Sequence, residues 1–256
     1  MSYCPPQWLV DSSTGRLKLS SCIAFFDEIS TYAGTMAWDD RFRPGVSISL
    51  SGRATRPLDF NGRIYVETRR RKSGKTISFV DIVVLDENQR VMVKGQHIKF
   101  MPMSFPLNHI FHKRLARMVF PMMQYRMSLQ TMEDLPLVGD IDHVFPLSNA
   151  NYNGNQGTVN SVVDVSHGNP IGSIHGGAGV MLLEHATRFA LSSNSKEEMK
   201  EPLAISASLI SGISTKKKQD VQVHTVISSE DTGNSTFVRS QLLHQSKPAI
   251  DCVLMY

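Results

Sequence analysis

"NPIGSIHGGAGVMLLEHATRFAL", residues 169–191, sets His175, Gly176 and Gly177 immediately ahead of an apolar run that carries one carboxylate, Glu184. The run reads as a helix from about 177 to 192, so the glycines fall at its N-terminus, where unpaired backbone N–H groups point outward and the macrodipole is positive. Glycine lets another group approach that backbone closely. Such a site suits an oxyanion of the kind a tetrahedral intermediate at an ester or thioester carbonyl presents, and Asn169 just upstream offers a further donor. The alternative is a glycine-rich helix start built only for close packing. No Lys-Ser/Thr ending follows the glycines, so the stretch is not a phosphate loop, and no dinucleotide fingerprint is present.

Outward from this stretch the chain repeats itself. Residues 20–38, "SSCIAFFDEISTYAGTMAW", predict a helix, and 46–51, 63–68, 76–85 and 90–100 predict strands, with "RKSGKT" and "LDENQR" as turns. After the 177–192 helix come "PLAISASLIS", "DVQVHTVIS", "STFVRSQLLHQ" and "PAIDCVLMY", the same order of one helix followed by four strands. Asp27 and Glu184 stand 157 positions apart, as do Ile64 and Val221, while Phe79 and Phe237 differ by 158. A near-constant offset across helix and strands indicates two related units of α+β type.

Between the units, "MPMSFPLNHIFHKRLARMVFPMMQYRMSLQTMEDLPLVGD" holds 7 of the 13 methionines and predicts a helix near 107–118; its methionines suit irregular apolar packing or an adaptable channel. "SNANYNGNQGT", residues 148–158, reads as turn-rich. Cys4, Cys22 and Cys252 are odd in number and lack metal-ligand spacing, which implies free thiols in a reducing compartment. The first residues lack a signal-peptide pattern and no apolar run reaches membrane-spanning length, so a cytoplasmic protein without a membrane span is expected. The net charge of +4 permits a phosphate-bearing ligand without demanding nucleic acid.

"NPIGSIHGGAGVMLLEHA" resembles the Asn-x-x-Gly-x-x-His-Gly-Gly stretch of the hotdog-fold acyl-CoA thioesterases of the PaaI type, in which a catalytic Asp or Glu follows on the helix. "FFDEISTYA" resembles that family's acid-bearing helix, and residues 45–100 resemble its strand region. The resemblance implies a tandem, or double, hotdog protein in which each repeat is an antiparallel sheet wrapped around a long central helix. The expected division is a first repeat at 1–101, a connector at 102–150 and a second repeat at 151–256. The implied activity is hydrolysis of an acyl-CoA thioester to free acid and CoA, with no metal and no cofactor beyond the CoA of the substrate. The implied assembly is a homodimer with four hotdog units.

Gly176 and Glu184 are eight residues apart, about 12 Å along one helix, too far for both to touch one carbonyl carbon. In the family the acid comes from the partner hotdog, here the other half of the chain. Counting back 157 from His175, Gly176 and Gly177 reaches Lys18, Leu19 and Ser20, so the first half lacks the glycine motif and keeps an acid, Asp27. One complete composite site is therefore expected: Asn169, His175, Gly176 and Gly177 from the second half with Asp27 from the first. Asp27 acts there as general base or as nucleophile. Gly176 N–H polarises the carbonyl; His175 shapes the turn or transfers protons. Thr31, one turn after Asp27, holds a water or the acid, or simply faces solvent. Glu184 marks a degenerate second site, its carboxylate paired with Lys18 or Arg16.

The family's hydroxyl residue before a proline is matched by Arg56 ahead of Pro57, with Ser214 as the second-half candidate; Arg56 reads as a CoA-phosphate contact or a solvated side chain. Arg69–Lys72 and Lys216–Lys218 read as hairpin clusters for CoA phosphates or as solvated turns. No aromatic stacking motif accompanies these charges, which argues against nucleic acid. Two other functions fit the pattern. One is a non-catalytic acyl-CoA-binding protein. The other is a hotdog dehydratase or hydratase, disfavoured because its acid needs a histidine partner and His185 points around the helix from Glu184.

Overall fold

A computed structural model describes residues 2–3, 9–11, 14–36, 39, 45–59, 63–74, 76–101, 141–169, 172–194, 201–229 and 235–256. Strand β1 (Ser2–Tyr3) precedes helix α1 (Leu19–Ile29), which runs on into a π-helical stretch, Ser30–Thr35. Strands β2 (Val46–Ala54), β3 (Ile64–Ser73), β4 (Ile77–Leu85) and β5 (Val91–Phe100) follow. A short helix α2 (Ile141–Val144) and the hairpin of β6 (Ser148–Asn153) and β7 (Gln156–Val163) lead to helix α3 (Gly176–Asn194). After it come β8 (Ala204–Leu209), β9 (Gln219–Ser229), β10 (Thr236–His244) and β11 (Lys247–Met255).

These strands form one antiparallel sheet in the order β1-β3-β4-β5-β2-β8-β11-β10-β9-β7-β6. The seam between β2 and β8 pairs Leu50 with Ala207, so strands from the two ends of the sequence make a continuous ladder. Helix α1 packs on β2 and β5, α3 packs on β9, β10 and β11, and the two helices pack on each other. Buried Leu19, Ile23 and Phe26 of α1 and Val180, Leu182, Leu183 and Ala186 of α3 meet buried strand residues such as Leu50, Val80, Ile82, Val223, Val238 and Ile250. Full burial of a side chain such as Phe26 contributes about 2–3 kcal/mol.

Two glycines set how closely the layers approach. A Cβ at Gly95 on β5 would lie 2.1 Å from the Phe26 ring and 2.6 Å from Ser51 O. A Cβ at Gly177 would lie 2.5 Å from Ala24 Cα, so the helices cross backbone to backbone there.

Several expectations need correction. The first helix ends as regular α at Ile29 and its next six residues are π-wound, so it is not one α-helix to residue 38. "SNANYNGNQGT" is mostly hairpin, with only Gly154 and Asn155 in the turn, and β6 runs across the boundary expected between 150 and 151. Arg69–Lys72 belong to strand β3, not to a turn; the exposed Lys216–Lys218 do precede a strand. The helix expected near 107–118 and most of the connector lie outside the described residues. Among the described residues no helix is long and apolar enough to cross a membrane.

Replacing Gly95 with alanine forces the new methyl between the Phe26 ring and the Ser51 carbonyl. Gly95→Ala is expected to lower unfolding free energy by about 1–3 kcal/mol in urea titrations. Gly74→Ala, whose Cβ meets only Ile77 O at 3.5 Å, should change it by less than about 0.5 kcal/mol.

Candidate active site

The N-terminus of α3 is built by the loop ahead of it. Asn169 Oδ1 accepts from Ser173 N–H (3.1 Å), and Asn169 N–H donates to Ser173 O (2.7 Å). His175 N–H donates to His167 O (2.9 Å), and Ser173 bridges to Ser214. Asn169 thus holds the loop through its carbonyl oxygen, and exposed Ser214 belongs to the strip supporting that loop. The helix begins at Gly176.

Asp27 of α1, almost fully buried, meets this N-terminus. Gly177 N–H donates to Asp27 Oδ2 at 3.0 Å, and His175 Nδ1 lies 3.1 Å from the same oxygen. A Cβ at Gly176 would come within 2.7 Å of Asp27 Oδ2, so glycine is needed for the carboxylate to reach the helix end. Gly176 N–H itself meets no acceptor among the described residues. The residues expected to share a site, Asp27, His175, Gly176 and Gly177, are brought together. The amide bonded to the acid is that of Gly177.

On its other side Asp27 meets the sheet. Ser47 Oγ–H donates to Asp27 Oδ1 (2.7 Å), and His97 Nε2 lies 2.9 Å from Ser47 Oγ and 3.5 Å from Asp27 Oδ1. Ser30 Oγ bonds both His97 Nδ1 and, as donor, Phe26 O. Lys99 Nζ donates to Thr31 Oγ1 (2.6 Å) and lies 3.5 Å from Ser47 Oγ, while Thr31 Oγ1–H donates to Asp27 O. Thr31 therefore seats Lys99 instead of facing solvent.

Burial alone would raise the Asp27 pKa. The charges of His175 and Lys99, with the Ser47 hydrogen bond, outweigh it and hold the carboxyl well below the usual carboxylate range. His97, with no exposed surface, is pushed down to about 3, first by burial and then by Lys99, so its ring is neutral at physiological pH. Lys99, 2 % exposed, falls to about 8, mainly by burial, with Asp27 and Glu28 opposing. Burial also works against a charged His175, but Asp27 and a contact from His175 Nε2 to Glu28 Oε2 (3.1 Å) prevail and raise it. A preorganised amide, an ionised acid and a histidine biased toward its charged form thus surround one point at a helix N-terminus.

Ser47, His97 and Lys99 are not among the residues expected from the sequence. The two basic residues were signalled by "GQHIKF": both fall at core-facing positions of a strand, where a cation needs a reason. Ser47 carried no signal. Strict alternation puts Val46, Ile48 and Leu50 on one side of β2 and Ser47 on the other. The register shift between Ser47 and Ser49 is a bulge at Ile48 that turns Ser47 to the side of Leu50, opposite Lys99.

Glu184 has a corresponding arrangement. Buried in α3, it accepts from Ser20 N–H at 2.9 Å near the start of α1. Its nearest cation is Arg188 (3.8 Å), which pairs with Glu201 (2.7 Å) and Asp11 (2.6 Å); the expected partners are otherwise placed, Arg16 on Asp59 and Lys18 at the N-cap of α1. Glu201 is raised to about 7, by burial and then by Glu184. His185 reaches Asp142 of α2 instead (2.9 Å). Arg56 lies past the far end of β2, about 20 Å or more from Ser47 along the strand, and is tied to Asp86 (2.6 Å). It contributes nothing to the Asp27 cluster.

Because His175 is raised, its charge supports the fold at pH below the ordinary histidine value of about 6.5, and that support is lost as pH rises through the elevated folded-state value. Asp27→Asn removes the largest opposing charge and leaves Glu28 alone against burial and Lys99, both of which lower the pKa. An NMR titration of the His175 ring should move from above the ordinary value in wild type to a lower value in Asp27→Asn. An unmoved titration would mean that Asp27 does not govern the ring.

No protein-family model matches the chain, and no curated protein sequence does. Solved structures do. A protein of Lactobacillus plantarum, provisionally named an oleoyl thioesterase, superposes with TM-score 0.65 at 14% identity, covering 100% of this chain and 94% of its own. The 12:0-ACP thioesterase of Umbellularia californica gives 0.62 at 8% identity, covering 100% and 96%. A conserved protein of unknown function with a hotdog fold, from Alicyclobacillus acidocaldarius, gives 0.59 at 7% identity, covering 98% and 89%. At such identities the likeness is one of fold: the chain has an α+β hotdog fold.

Proposed function

We propose that the chain is a tandem of two hotdog units and a thioester hydrolase, cleaving an acyl-CoA to free acid and CoA at one composite site between the units. Support for the tandem comes from the sheet order, in which β3-β4-β5-β2 on one side of the seam is answered by β9-β10-β11-β8 on the other. The two carboxylate contacts keep the same offset: Ser20 and Gly177 are 157 positions apart, as are Asp27 and Glu184.

The observation that carries the activity is the Gly176 N–H, without an acceptor among the described residues, beside an ionised, buried Asp27. The amide and the α3 dipole would polarise a thioester carbonyl. Gly177 N–H and Ser47 orient Asp27, which activates water or attacks the carbonyl itself. His175, favoured in its charged form, adds positive charge beside the reacting carbonyl. Asn169 acts indirectly, through the loop.

The Glu184 side lacks these parts. Strand register puts Cys252 opposite Ala207 where His97 stands opposite Leu50, and Leu254 opposite Ile205 where Lys99 stands opposite Ser47, while Arg188 stands 157 residues after Thr31. Arg188 with its three carboxylates fills the surroundings of Glu184. This supports one working site and one degenerate one.

A second reading, hydration or dehydration of an acyl thioester, gains from the His175–Asp27 contact, the acid–histidine pair that the Glu184 region lacks. Reversible water addition changes enoyl-thioester absorbance and releases no thiol, so the two activities are told apart in one cuvette. An acyl-CoA-binding protein without turnover would do neither.

Thiol release from short-, medium- and long-chain acyl-CoA, and from the same acyl groups on carrier protein, tests the proposal. Asp27→Asn should reduce kcat on the order of 10²–10⁴-fold. Glu184→Gln, if it folds, should retain most activity. Equal loss in both variants would contradict the single-site reading.

A further inference from the structure

Around Ser47 the hydrogen-bond acceptors outnumber the donors. Ser30 spends its only proton on the Phe26 carbonyl, which can only accept, so Ser30 Oγ must accept from His97 Nδ1–H. The neutral His97 ring then has a lone pair at Nε2, 2.9 Å from Ser47 Oγ. Ser47 Oγ also lies 2.7 Å from Asp27 Oδ1. Lys99 Nζ donates to Thr31 and approaches the oxygen of Ser47, not the His97 nitrogen. Ser47 has one proton for two acceptors, and while Asp27 is ionised the charged oxygen is the stronger claimant.

We propose that Ser47 is a hydroxyl switch: its O–H points to Asp27 Oδ1 while Asp27 is charged, and turns to His97 Nε2 when Asp27 loses that charge. The role of the switch in turnover rests on the hydrolytic reading above. In that reaction the oxygen of a water bonds to the thioester carbonyl carbon as one of its O–H bonds breaks, the proton passing to Asp27. When the C–S bond breaks, the electron pair leaves with sulfur and the proton on Asp27 completes the thiol. During the interval Asp27 is neutral, and the His97 lone pair gives Ser47 an alternative acceptor. The switch stabilises the protonated acid without touching the reacting atoms, so Ser47 and His97 are positioning residues.

The other half of the chain supports the pairing of these two residues. At the positions matched by strand register, Ile205 and Cys252 replace both the hydroxyl and the ring. Lys99, His175 and Glu28 complete the titratable surroundings of Asp27, and none of them touches His97 Nε2 within hydrogen-bond distance.

Nitrogen-15 NMR of histidine-labelled protein reads the switch directly. In wild type the His97 Nε2 resonance should report a lone pair without a full hydrogen bond. In Asp27→Asn it should move to the hydrogen-bonded range, and Ser47→Ala in that background should reverse the move. An Nε2 resonance indifferent to Asp27→Asn would overturn the switch. Kinetics supply the second arm: Ser47→Ala and His97→Leu should each lower kcat about 10–100-fold with little change in KM. The double variant should be no worse than Ser47→Ala alone, and His97→Gln, whose amide oxygen accepts, should recover part of the loss. Multiplying losses in the double variant would also overturn it. A wild type that releases no thiol from any ester would defeat the hydrolytic reading, while the NMR arm would still decide the switch.

Discussion

Two buried carboxylates, each held by the backbone of the other's helix, are the constraint on which the rest of the molecule depends. Asp27 of α1 accepts from Gly177 N–H at the start of α3, and Glu184 of α3 accepts from Ser20 N–H at the start of α1. A carboxylate out of water is costly unless donors and positive potential meet it, and a helix N-terminus supplies both. Neither helix can shift along the other without stranding an acid. The contact requires antiparallel helices in close approach, which Gly177 permits against Ala24, and that fixes where β2 and β8 meet beneath them.

The same frame carries different chemistry at its two ends. Around Asp27 lie donors and basic groups: Ser47, His97, Lys99 and His175. Ser47, Lys99 and His175 keep the acid ionised despite burial. Around Glu184 lie Arg188, Asp11 and Glu201, where burial, and then the Glu184 charge, make Glu201 bind its proton more tightly. One end holds an ionised acid beside a histidine and a helix N-terminus; the other is packed with its own ion pairs. The asymmetry is a property of side chains, since the backbone contacts at the two ends correspond.

Much of this was legible in the sequence because it follows from periodicity and offset. Alternation located β2 to β5 and β8 to β11 within a few residues, and the spacing from Gly176 to Glu184 argued that the acid facing Gly176 comes from elsewhere in the chain. The parts that stayed hidden depend on tertiary detail. The bulge at Ile48 reverses the facing of Ser47, and nothing local announces it. The π-winding after Ile29 and the hairpin at 148–163 each depart from local propensity. Arg56 was singled out through a motif position carried over from a resemblance; its partner Asp86, in the neighbouring turn, was not legible from that motif.

The most direct test of the account is a crystal structure with a non-hydrolysable ketone analogue of an acyl-CoA, in which a methylene replaces the thioester sulfur. The account predicts one ligand per chain, its carbonyl oxygen within hydrogen-bond distance of Gly176 N–H and its carbonyl carbon facing Asp27. A ligand bound instead between Ser20 and Glu184, or one at each end of the helix pair, would contradict it.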